Sequence, residues 1–234
     1  MRTVRAYIAG CQKGFALHPL FELLHAAPTL ELASRVAPRL AFWVMAFQDL
    51  LRLNEQLVAD PELRRIARHH KAEDAGHDRW FVADLERLSA GGLGIAQLFG
   101  PDHRATRDAA YALVSEVFRA ASDLERIVLL LAVESTGHVF FERMATFASS
   151  HAGGEQLRYF SGHHLKVEQA HAVFEQRALA TLDAYTLGPV EAARARALVA
   201  RVYAAFGAMF DGLCVDRASR RRSVREAGLE PARG

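Results

Sequence analysis

Two cysteines, Cys11 and Cys214, are all that this chain of 234 residues contains. They are too few for a disulfide framework or a thiolate-rich structural zinc site. Long apolar runs are missing as well: the longest, Ile127 to Val133, is far shorter than the roughly 20 residues that cross a bilayer. Met1 to Gly10 lacks the charged-then-apolar layout of a signal peptide, so a soluble cytoplasmic protein without a membrane partner is the expectation. Charge of one sign is not in excess either. Against 27 Asp and Glu stand 29 Lys and Arg, and a net charge of +2 argues against a nucleic-acid or membrane-surface role for the whole domain. No G-x-S-x-G, P-loop or dinucleotide fingerprint occurs, and Gly91-Gly92-Leu93-Gly94 is a turn without the strand that a phosphate cradle requires. No stretch shows the period-two alternation of a strand.

What remains is a helical chain. With 51% hydrophobic residues and no linker, residues 1–216 are read as one domain, and 217–234, which holds Arg217, Arg220 to Arg222 and Arg225, as a basic disordered tail. Helices are expected at His18 to Ala26 and Arg39 to Leu57, with Pro28 and Pro38 in first turns. Asp60-Pro61 opens a long helix to about Leu88. Others follow from about Ala105 to Ala120, from Ser122-Asp123 to about Ala148, from Ser161 to about Tyr185, and from Gly188-Pro189 to about Asp216. The fold class is all-α, a bundle of seven to eight helices.

Histidine is plentiful, and it is patterned. HHKAEDAGH at 69–77 and HHLKVEQAH at 163–171 both read HH-x3-(D/E)-x2-H. On a helix, spacing i, i+4, i+7 puts His70, Asp74 and His77 on one stripe and His164, Glu168 and His171 on another. Glu73 also points broadly the same way, at about −60° from His70, so either acid of the first copy can bind. His163 falls about 100° away from its stripe. Glu134 ends the apolar run Ile127 to Val133, where an ionised carboxylate needs a compensating charge from a metal ion or a buried Arg or Lys, unless it lies at the bundle's edge. The isolated His18, His25, His103, His138 and His151 suit caps, surface or core, with a reservation for His138 one turn beyond Glu134. Mixed imidazole and carboxylate donors suit iron, manganese, zinc or nickel. Their number exceeds the needs of one tetrahedral ion and suits two ions about 3.5 to 4 Å apart, bridged by carboxylate.

EDAGHDRWFVADLERL at 73–88, the lone Glu134 in LLAVESTGHVFFE, and H-x3-E-x2-H from His164 to His171 together resemble the heme-oxygenase-like di-iron oxidases and oxygenases. The similarity runs from about His18 to Tyr185. It implies a heme-oxygenase-like bundle holding a labile pair of Fe(II) ions per chain that activates O2 as co-substrate. By resemblance His77 with an acid at 73 or 74, Glu134, His164, Glu168 and His171 are ligands. Members often have Glu seven residues before the first-helix histidine. Here that position is His70, which makes the site richer in histidine or leaves Glu73 or Asp74 to serve. The expected partner is a small organic metabolite such as an amino acid, a fatty acid or a nitrogenous or aromatic compound, and the expected assembly a homodimer. Competing expectations are a non-redox metal- or ligand-binding protein on the same fold and a heme-degrading or metal-free relative.

Overall fold

A computed structural model describes residues 1–26, 29–88, 92–150, 154–170 and 179–214. Among them there is no strand, and ten α-helices are present. They are α1 (Arg2–Phe15), α2 (Pro19–Ala26), α3 (Leu30–Leu57), α4 (Pro61–Glu73), α5 (His77–Arg87), α6 (Ile95–Leu98), α7 (Arg104–Arg119), α8 (Asp123–Ser149), α9 (Gly162–Ala170) and α10 (Pro189–Cys214). The expected all-α class is correct. The count exceeds the expectation because α1 and the short α6 were not anticipated and the long helix after Pro61 is two. In α1 the buried Val4, Ile8 and Phe15 give the inward face, a spacing legible in the sequence. The expected tail at 217–234 lies outside the described residues.

Helix α8 is the axis of the bundle. It is buried at Ile127 to Leu130, at Ala132 and Val133, and again at Val139, Phe140, Met144 and Phe147, and it touches α1, α2, α3, α4, α7, α9 and α10. Its start is fixed as the sequence indicated, since Ser122 Oγ accepts from the Glu125 N–H at 3.2 Å. Helix α3 begins earlier than expected. Thr29 Oγ1 accepts from the Leu32 N–H at 3.1 Å, and Pro38 lies inside the helix instead of in its first turn. A proline there deletes one backbone hydrogen bond, and burial of Ala33, Val36, Ala37, Leu40 and Ala41 around it offsets the loss. Pro28 lies outside the described residues.

Helix α10 packs on α1, α2, α7 and α8. By length and composition it is the one described helix able to cross a membrane, and 39% of its most apolar window is buried within the protein. Reading for unbroken runs passes over it, because Arg and Glu punctuate its first half. Two ion pairs seat it: Arg194 donates to Glu125 at 2.8 Å and Arg201 to Glu116 at 2.8 and 2.7 Å.

One core residue breaks the rule that buried polar groups are paired. Asn54 of α3 is 0% exposed, and neither its amide oxygen nor its amide nitrogen has a hydrogen-bond partner. Replacing it with leucine removes that desolvation cost, so Asn54→Leu is expected to raise unfolding stability by about 1 kcal/mol. Urea denaturation checks this, and a variant less stable than the parent would show that the amide is satisfied in solution.

Candidate metal centre

The first histidine motif does not sit in one helix. Asp60 starts α4 by accepting from the Glu62 and Leu63 N–H groups at 2.9 Å each, with Pro61 in the first position. The helix stops at Glu73, Asp74 forms its C-cap, and Gly76 takes φ 93°, so that α5 starts afresh at His77. The expected continuous helix from Pro61 to about Leu88 is therefore corrected. Its pattern hid the break because Gly76 is the only residue of the motif that enters the left-handed region without strain, and a single glycine inside a helical pattern is ordinarily tolerated.

The break gathers the donors. Asp74 is buried between two rings: its Oδ1 lies 3.0 Å from His77 Nδ1 and its Oδ2 3.1 Å from His70 Nε2. From α8, Glu134 Oε1 comes within 2.7 Å of the same His70 nitrogen. One ligand atom from each of His70, Asp74 and Glu134 lies within 4.8 Å of the others, a group that can hold a metal ion. The His70 ring nitrogen is buried with a carboxylate oxygen of Asp74 and one of Glu134 close by. Separations of 2.7 to 3.1 Å are those of neighbouring ligands as well as of ion pairs. Two such atoms about 2.1 Å from an ion at a right angle are about 3.0 Å apart. The donor set therefore fits a divalent ion of the imidazole-and-carboxylate class.

A second pair stands beside it. His77 and His164, 5% and 1% exposed, place their rings 4.4 Å apart edge to face. His164 belongs to α9, whose start Ser161 caps through the His163 N–H at 3.1 Å, as the sequence indicated. Its Nδ1 is 3.0 Å from the Tyr159 carbonyl, which can only accept, so Nδ1 carries the proton and Nε2 the lone pair. His77 likewise turns Nδ1 to a carboxylate, the usual arrangement behind a ligating imidazole. Trp80 stacks on His77 at 4.6 Å, and Phe141 lies 3.8 Å from His164.

Glu73, the other acid of the first motif, pairs with His69 at 2.8 Å, while Asp74 faces His70 and His77. His163 meets the edge of Trp80. Glu168 falls on α9, but its side chain and all of His171 lie outside the described residues, as does His151. His138 is exposed and His25 is exposed, whereas His18 Nδ1 accepts from the Leu20 N–H at 3.1 Å and His103 is buried. Glu134 is less enclosed than its apolar run suggested. Its side chain is 39% exposed because it opens onto a cavity.

That cavity has an empty volume of about 730 Å³ including its mouth. Asp74, His77, Glu134 and His164 form one wall, and Leu40, Trp43, Val44, Phe47, Phe140, Phe206, Met209 and Phe210 are among the residues that form the rest. No Lys or Arg is among its described lining residues. Sequence reasoning missed Gln48, whose Nε2 donates to the Asp74 carbonyl at 3.2 Å and fixes the helix break. It also missed Asp84, although this acid falls on the apolar stripe of Phe81, Leu85 and Leu88, where a charge is unexpected.

No protein-family model matches this chain, and no curated protein is similar to it.

Without a metal, the cluster balances its own charge. Burial favours loss of the His70 proton, but the charges of Glu134 and Asp74 outweigh it and hold the ring's pKa well above its ordinary 6.5. Burial opposes ionisation of Asp74, yet the His70 and His77 rings keep its carboxyl well below the ordinary 3.8. A raised histidine pKa gives stability that is complete below about pH 6.5 and lost as pH rises through the folded value. A lowered carboxyl pKa gives stability that is present above about pH 4 and lost as pH falls toward the folded value. Metal-free protein is thus expected to lose melting temperature from pH 6.5 to 9 more steeply than His70→Gln, which has no such proton to lose. Parallel calorimetric profiles of the two proteins would refute this assignment.

Proposed function

We propose that this protein is an O2-activating non-heme di-iron oxidase or oxygenase with a heme-oxygenase-like fold, acting on a small organic metabolite. The observation that carries the reading is the convergence of His70, Asp74 and Glu134 at the wall of an apolar cavity, with His77 and His164 beside them. His70, Asp74 and Glu134 would hold one Fe(II). His77 and His164, with Glu168 and His171 on the sequence pattern, would hold a second, and Glu134 would serve both. Bound iron would supply the reduction of O2, and the protein would supply position and an apolar surround.

The residues suit that division. Asp74 uses one oxygen to fix the His77 ring and offers the other toward His70. Trp80, Phe141 and Tyr159 surround His77 and His164 with rings that exclude water. The apolar walls formed by Trp43, Phe47, Phe140, Phe206 and Phe210 favour a substrate with an aliphatic or aromatic body. An Arg clamp for a substrate carboxylate finds no support among the described lining residues.

Anaerobic loading with Fe(II) is expected to give about two irons per chain and O2 uptake that follows iron content. His77→Ala and His164→Ala are each expected to weaken iron retention at least about tenfold with the helical fold intact. Metal analysis and an oxygen electrode make the measurement. Absence of iron uptake, or uptake indifferent to both substitutions, would sink the proposal.

A further inference from the structure

Asp84 lies on α5, two turns beyond His77, and is 0% exposed. Such a carboxylate must be compensated where it sits. Its partners are three consecutive backbone N–H groups: Arg158 donates to Oδ1 at 2.8 Å, and Tyr159 and Phe160 donate to Oδ2 at 2.8 and 3.1 Å. Arg87 Nη1 stands 3.4 Å from Oδ1. Successive backbone N–H groups curled round an anion fix the backbone of that segment. This segment immediately precedes α9, and its Tyr159 carbonyl is the group that accepts from His164 Nδ1 at 3.0 Å. Phe81 of the same helix packs on Tyr159 and Phe160 at 5.2 and 5.8 Å, so α5 grips the segment by charge and by ring contact.

We propose that Asp84 is a positioning residue for the metal site: by clamping residues 158–160 it fixes the Tyr159 carbonyl that holds His164 in the Nδ1–H tautomer and sets the orientation of its ring. Helix α5 thereby sets both cavity histidines, His77 directly and His164 through Asp84. The purpose of the arrangement rests on the metal reading above, but the tautomer exists without metal. Asparagine at 84 keeps one accepting oxygen and turns an NH2 group toward backbone donors, so the clamp opens with little change in volume.

In metal-free protein above the titration range of histidine, 15N NMR of the His164 ring is expected to show the Nδ1–H form alone, and Asp84→Asn a mixture of tautomers. Co(II) binding at the His77 and His164 position is expected to weaken about 10- to 100-fold in Asp84→Asn, leaving the His70, Asp74 and Glu134 position unchanged. A folded Asp84→Asn protein with unaltered tautomer and unaltered Co(II) affinity would overturn the proposal. Should that variant not fold, the unaltered protein decides: Co(II) loading is expected to slow hydrogen exchange of the Tyr159 and Phe160 amides about tenfold, and unchanged exchange would overturn it. Wild-type protein that takes up no metal would contradict the proposed function, while the metal-free tautomer comparison still decides the role of Asp84.

Discussion

His70 of α4 and Glu134 of α8 meet at 2.7 Å beside the buried Asp74, and the surrounding bundle has to reconcile itself to that contact. A buried carboxylate such as Asp74 is stable only where its charge is compensated, and the partly exposed Glu134 adds a second negative charge beside it. Without metal a proton held on His70 achieves this, and a divalent ion would achieve it better because it compensates both carboxylates at once. Metal uptake then has to displace protons, which ties occupancy of the site to pH.

The rest of the architecture serves that meeting. Helix α8 can carry Glu134 through the middle of the protein because the run from Ile127 to Val133 before it is apolar and wrapped by neighbouring helices. The break at Gly76 turns what would be a single stripe into two short helices, so that Asp74 reaches both His70 and His77. From the other side α9 brings His164, oriented by a carbonyl that Asp84 in turn anchors. Cavity and donors share a wall, and this adjacency favours chemistry on a bound molecule over a purely structural ion.

Much of this was legible in the sequence, for reasons that differ by residue. Ser122, Asp60-Pro61 and Ser161 marked helix starts because capping is local chemistry, fixed by a few adjacent residues. The H-x3-D-x2-H pattern pointed to His70, Asp74 and His77, which come together across a helix break, while of the second copy's donors only His164 has a described side chain. What stayed hidden depends on contacts distant in the chain. Nothing within the motif chooses Asp74 over Glu73; the choice is made by where α4 ends and by Gln48 on α3. The role of Asp84 depends on the segment at 158–160, which lies 74 to 76 residues away in the chain. Pro38 misled because tertiary burial overrides its local preference.

The central claim is that these side chains assemble around two metal ions. Crystals of anaerobically Fe(II)-loaded protein, measured at the iron absorption edge, test it directly. The expected result is two anomalous peaks about 3.5 to 4 Å apart, one contacting His70, Asp74 and Glu134 and the other His77 and His164. A fully loaded crystal with no iron at these residues, or with iron bound only elsewhere, would contradict it.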